Sequence, residues 1–198
     1  KYIEVTNISI NRDVFWFLVR TPDSLVGLMS GDGKELLPVK YRNFISNYSF
    51  KPPYILIFED ANKKYGAMNA ELKTIIPVAY TYLETNFLID DTTLHFTFSI
   101  DGKKEIGLLD ANGKVLISPN LSHIRALSNP FCHENRYFNE PNLFLGGKII
   151  DGEQKYALFS TQTFNPLTDF VFTHWLADDT IFVYAPETFK ESITPVKS

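Results

Sequence analysis

Short apolar or aromatic runs recur along the chain at residues 14–19, 54–58, 94–98, 143–145 and 181–184, each bounded by turn-forming residues. Runs of this length, rich in β-branched and aromatic side chains, read as strands. Apolar positions at helical spacing are absent nearly everywhere, so the pattern predicts an all-β chain.

The segments after these runs are copies of one another. The chain reads Val26-Gly27-Leu28-Met29, then Gly31-Asp32-Gly33-Lys34, then Leu36-Leu37-Pro38-Val39-Lys40-Tyr41. It reads Tyr65-Gly66-Ala67-Met68, then Leu72-Lys73, then Ile75-Ile76-Pro77-Val78-Ala79-Tyr80. A third copy is Ile106-Gly107-Leu108-Leu109-Asp110, Asn112-Gly113-Lys114 and Leu116-Ile117-Ser118-Pro119; a worn fourth is Tyr156-Ala157-Leu158-Phe159 with Phe164-Asn165-Pro166. The glycines recur 39 and 41 residues apart, and Ala157 comes after another 50. Such periodicity is the signature of a repeat architecture.

One unit is expected to hold three antiparallel strands. Strand a is the apolar run, strand b carries the glycine, and strand c carries the proline. Turns such as Asp32-Gly33 and Asn112-Gly113 supply residues that tolerate positive φ between b and c. Proline cannot donate to a ladder, so strand c is expected to bend or lie at an edge there. The glycine of strand b should let an aromatic, Tyr41 or Tyr80, lie against the backbone, and Gly146-Gly147 should mark a bulge.

About four units are predicted within a single domain, at about residues 12–50, 51–90, 91–128 and 139–179. Residues 1–10 alternate like a strand c, and residues 180–185 read as a lone strand a. Three strands are narrow for a propeller blade, which favours an open, curved array over a closed propeller-like ring.

The motifs resemble the WG (KWG-type) repeat of bacterial proteins, whose unit runs Trp-Gly-Leu-Ile-Asp, Asn-Gly-Lys, Ile-Pro-Pro-x-Tyr. Val26, Tyr65, Ile106 and Tyr156 stand in place of the tryptophan, and the second proline is mostly absent. The resemblance spans roughly residues 12 to 180. It implies a β-repeat array acting as an interaction scaffold, and it implies no active site.

Composition fits a sheet protein, with 17 Phe and 10 Tyr against 2 Met, because aromatics suit pleated surfaces. Net charge is −4 with both signs scattered, so nucleic-acid binding is not expected. No apolar run reaches the ~20 residues of a spanning helix, so membrane insertion is not expected. The single cysteine, Cys132, excludes an internal disulfide, and the four histidines lack metal-ligand spacing, so no metal or cofactor is expected. The chain begins at Lys1, not Met; a natural start upstream is expected and the compartment stays unassigned.

The interval before the fourth copy is about 10 residues longer than the others, and insertions in repeats map to loops that often bind. Part of the excess falls at residues 128–141, where Phe131, His133, Arg136, Tyr137 and Phe138 form the candidate ligand or partner contacts. Cys132 with His133 or His123 is a candidate nucleophile pair, but neighbours on an extended segment point oppositely, which favours a small buried thiol. His95 reads as a strand-face histidine. The pairs Asp90-Asp91 and Asp178-Asp179 read as solvated turn-formers, since they lack calcium-loop spacing.

These features point to a non-catalytic scaffold that holds a protein or peptide partner. The alternatives are a ligand-binding protein or enzyme with its pocket at residues 128–141, and a toxin-neutralising partner. Edge strands would also permit oligomerisation.

Overall fold

Antiparallel pairing turns each repeat into its own sheet. The computed structural model describes residues 2–9, 15–46, 54–86, 93–126, 143–178 and 180–184. The first sheet runs β1 (Glu4–Ser9), β2 (Phe15–Arg20), β3 (Val26–Ser30) and β4 (Glu35–Tyr41). The second runs β5 (Asn43–Ser46), β6 (Ile55–Glu59), β7 (Tyr65–Asn69) and β8 (Thr74–Tyr80). The third runs β9 (Tyr82–Asn86), β10 (His95–Ser99), β11 (Ile106–Asp110) and β12 (Val115–Leu121). The fourth holds β13 (His123–Ala126), β14 (Leu143–Ile150) and β15 (Glu153–Ser160), and the fifth pairs β16 (His174–Asp178) with β17 (Thr180–Tyr184). Strands pair in chain order, no sheet closes on itself, and the result is an array of antiparallel sheets.

The complete sheet has four strands, one more than the repeat motif suggests. One residue after strand c ends at Tyr41, Tyr80 or Leu121, the chain starts the outer strand of the next sheet. These outer strands are short and mixed in polarity, such as Asn43-Phe44-Ile45-Ser46, so they merge with strand c in the pattern. β1 is such an outer strand, paired with β2, rather than a strand c. In the fourth sheet an irregular segment takes the place of strand c, held by bridges Tyr156↔Phe172 and Phe159↔Pro166.

The core lies between sheets. Along β6, Leu56 and Phe58 join Trp16, Leu18 and Leu28 of the first sheet, while Ile55 and Ile57 join Phe96, Phe98 and Leu109 of the third. A third cluster unites Leu108, Ile117 and Leu121 with Ile124, Phe144 and Phe159 of the fourth sheet. A strand buried on both faces explains why these runs are continuously apolar rather than alternating. Each fully buried Leu or Phe contributes about 1.5–3 kcal/mol.

The glycines of strand b are required by this stacking. A Cβ at Gly66 would meet Phe58 Cζ at 2.8 Å, and one at Gly107 would meet Phe98 Cε1 at 2.6 Å. The covering ring thus comes from strand a, not from Tyr41 or Tyr80. Those tyrosines pack edge-on against the same rings from the preceding sheet, Tyr41 on Phe58 at 5.3 Å and Tyr80 on Phe98 at 5.1 Å. Gly146 and Gly147 lie in unbroken register with β13 and β15, so they mark no bulge; Gly146 instead accommodates the Phe159 ring. The register shifts fall between strands b and c of the first three sheets.

Candidate functional site

Cross-strand pairing fixes which side chains face the next sheet. Beside the position opposite the strand-b glycine, the facing residues are Trp16, Leu18 and Arg20 in β2, and Ile55, Ile57 and Glu59 in β6. In β10 they are His95, Thr97 and Ser99. The first two sheets therefore present two apolar residues and a charge, whereas the third presents three polar side chains. His95, Thr97 and Ser99 are nonetheless buried, at 3%, 5% and 4% exposure. The neighbouring outer strand continues the polar surface, with Tyr82 opposite Ser99, Glu84 opposite Thr97 and Asn86 opposite His95.

A cleft of about 640 Å³ opens here between the third and fourth sheets. One wall carries Tyr82, Glu84, Asn86, Thr97 and Ser99, with Lys103, Lys104 and Ile106 on the adjoining turn and strand. The other wall is Ser122, His123 and Ile124. The inner half of the same interface is closed by Leu108, Ile117 and Leu121 packed on Phe144 and Phe159. The fold is thus held together on one side of the interface and left open and polar on the other.

The polar wall is ordered by its own hydrogen bonds. Asn86 Nδ2 donates to Thr97 Oγ1 at 3.1 Å, Ser99 Oγ donates to the Lys103 carbonyl at 2.9 Å, and the Tyr82 hydroxyl donates to the Glu84 carboxylate. Burial and the Glu84 carboxylate together push the Tyr82 phenol up to about 12. On the facing wall Ser122 Oγ donates to Gln154 Oε1 at 2.9 Å, and His123 packs edge-on against Tyr156 at 6.1 Å. Burial, with Arg125 adding repulsion, holds the His123 imidazole below the ordinary 6.5 and so neutral at pH 7.

This arrangement offers fixed donors and acceptors beside small apolar surfaces at Ile106 and Ile124. It can bind and orient a polar ligand. A smaller cleft of about 390 Å³ between the first two sheets is lined by Arg20, Arg42 and Glu59. Its two arginines are already paired, Arg20 Nε to Glu4 at 2.8 Å and Arg42 Nε to Glu59 at 3.5 Å, which leaves it fewer cationic groups to offer.

Phe131, His133, Arg136, Tyr137 and Phe138 lie outside the described residues, as do Cys132, Asp90, Asp91 and Asp179. The strand leading into that segment, β13, supplies His123 and Ile124 to the cleft. His95 sits buried on β10, its ring 5.6 Å from Phe164. Of the cleft residues, only His123 stands out in the sequence as a candidate for chemistry. The available signal is the run Leu94-His95-Phe96-Thr97-Phe98, which alternates where the equivalent Tyr54-Ile55-Leu56-Ile57-Phe58 is continuous. No protein-family model matches the chain, and no curated protein matches it either.

Proposed function

We propose that the chain is a non-catalytic binding module, a β-repeat scaffold that holds a protein or peptide partner at the cleft between the third and fourth sheets. The observation that carries this reading is the exchange of Trp16/Leu18 and Ile55/Ile57 for His95/Thr97 at one interface of an otherwise apolar stack. Buried hydroxyls cost stability relative to the leucine and isoleucine of the other sheets. Departures from a protein's own packing rule concentrate at functional sites. The resemblance to WG repeats supports the scaffold role.

A random peptide library selected in parallel on the wild type and on a Glu84→Ala/His123→Ala variant tests the reading. Both substituted side chains are at least partly exposed, so the variant keeps the core. Peptides enriched on the wild type alone are expected. Equal enrichment on the two proteins would remove the cleft from the binding surface.

A further inference from the structure

The charged residues around the cleft come at different levels of its strands. Ser99 is tied to the Lys103 carbonyl, so Lys103 and Lys104 stand at the end of the cleft that Tyr82 and Ser99 occupy. Glu84, opposite Thr97, lies two cross-strand pairs further along, about 7 Å from the Tyr82 level along the strand at the usual rise. Asn86 comes two pairs beyond Glu84, opposite His95. Glu84, Lys103 and Lys104 are all exposed, and among the described residues none of the three is held in an ion pair. Basic residues at the neighbouring interfaces differ in this respect. Arg20 and Arg42 are paired at the first interface, and Lys64 pairs with Asp101 at the second. Thr97 and Asn86 on one wall and His123 on the other present both donors and acceptors, as an extended peptide backbone requires.

We infer that the cleft is built for an extended peptide carrying a free C-terminal carboxylate at the Lys103/Lys104 end and a basic side chain beside Glu84, two or three residues upstream. This rests on the proposed binding role and adds to it a partner chemistry and a direction. A carboxylate between two ammonium groups and a guanidinium against Glu84 are each charge-assisted contacts. Their separation fits two to three residues at about 3.3 Å each. A hydroxyl-rich saccharide would satisfy the hydroxyls and amide of the cleft, but it would leave both charged ends unused.

The test uses the full chain with dye-labelled pentapeptide pools in which Arg stands two or three residues before a free carboxylate. Matched pools carry a C-terminal amide, or Gln in place of Arg. Fluorescence anisotropy reads binding, and backbone amide NMR signals of Thr97, Ser99 and His123 read the location. The Arg/carboxylate pool is expected to bind best, with about tenfold weaker binding on amidation or on Arg→Gln replacement. Lys103→Ala/Lys104→Ala should erase the preference for the free carboxylate, and Glu84→Gln the preference for Arg; thermal melting confirms that both variants fold. Pools that bind at the cleft without either preference overturn the charged-peptide inference and leave the binding role intact. Signals shifted by a mixture of neutral oligosaccharides, and by no peptide pool, overturn it in favour of a saccharide. If neither peptides nor sugars shift these signals, the inference and the binding role fall together.

Discussion

Phe98 lies over the backbone of Gly107: a Cβ built at Gly107 would come 2.6 Å from Phe98 Cε1 and 2.5 Å from the Ile117 carbonyl oxygen. One contact could be relieved by a ring rotation, but the other is to backbone in the adjacent strand. Gly107→Ala is therefore expected to cost about 2–3 kcal/mol, the upper part of the range for overpacking a core. Gly31→Ala, where an added methyl meets nothing within 4 Å, should change stability by less than about 0.5 kcal/mol. Urea denaturation of the two variants decides it. A Gly107→Ala loss below about 1 kcal/mol would mean that β12 moves away easily.

The turn from strand b to strand c is closed by one side chain in each unit. Asp110 Oδ1 accepts backbone N–H groups from Asn112 at 2.8 Å and Lys114 at 2.9 Å, and Asn69 Oδ1 does the same for Glu71 and Lys73. Removing such an acceptor leaves two donors to water, so Asp110→Ala should cost about 1–2 kcal/mol. Asp110→Asn should keep most of that stability, since Asn69 already serves in the second unit. Equal losses for the two variants, measured by chemical denaturation, would place the effect in the charge and not in the turn.

The same turns show how much of the fold was legible. Gly33 and Gly113 adopt φ of 84° and 82°, as their residue type suggests, but Leu72 takes the equivalent place at 60°. Nothing in a leucine announces a left-handed turn; the repeat alignment does. Strands a, b and c could be read because burial on both faces forces continuous apolar runs and close stacking forces the glycines. The outer strands could not, since Asn43 to Ser46 and His123 to Ala126 are short, polar in part and joined to strand c by a single residue. The cleft was equally hidden, because Thr97 and Ser99 are unexceptional strand residues until their counterparts in the sheet before are known to be Ile57 and Glu59.

His123 gives the cleft a pH signature. Its imidazole titrates below 6.5 in the folded chain and near 6.5 when unfolded. As pH falls through 6.5 the unfolded chain takes up a proton that the folded chain refuses, so stability declines. The decline ends once His123 also protonates in the folded state. Urea midpoints between about pH 7.5 and 5, above the carboxylate range, should fall less steeply for His123→Gln than for the wild type. An unchanged slope in the variant would mean that the imidazole is solvated as in a free peptide.

Thr97 offers the sharpest test of the cleft, because structural and functional roles for its hydroxyl predict opposite signs. Leu18 and Ile57 occupy the equivalent place in the first two sheets, and Thr97 is 5% exposed. Its hydroxyl accepts one hydrogen bond, from Asn86, which is only partly buried and can turn to water. Thr97→Val keeps the shape, removes a buried hydroxyl and restores the apolar row of the stack. If the hydroxyl is retained for a ligand, the variant should be as stable as the wild type or up to about 1 kcal/mol more stable, as expected when a site trades stability for function. It should also weaken binding of any peptide selected on the cleft. If the hydroxyl instead secures β9 to β10, Thr97→Val should lose about 1–2 kcal/mol, the cost of orphaning its partner. Denaturation and peptide binding measured on the same preparation separate these, and a destabilised variant with unchanged binding would end the case for this wall of the cleft.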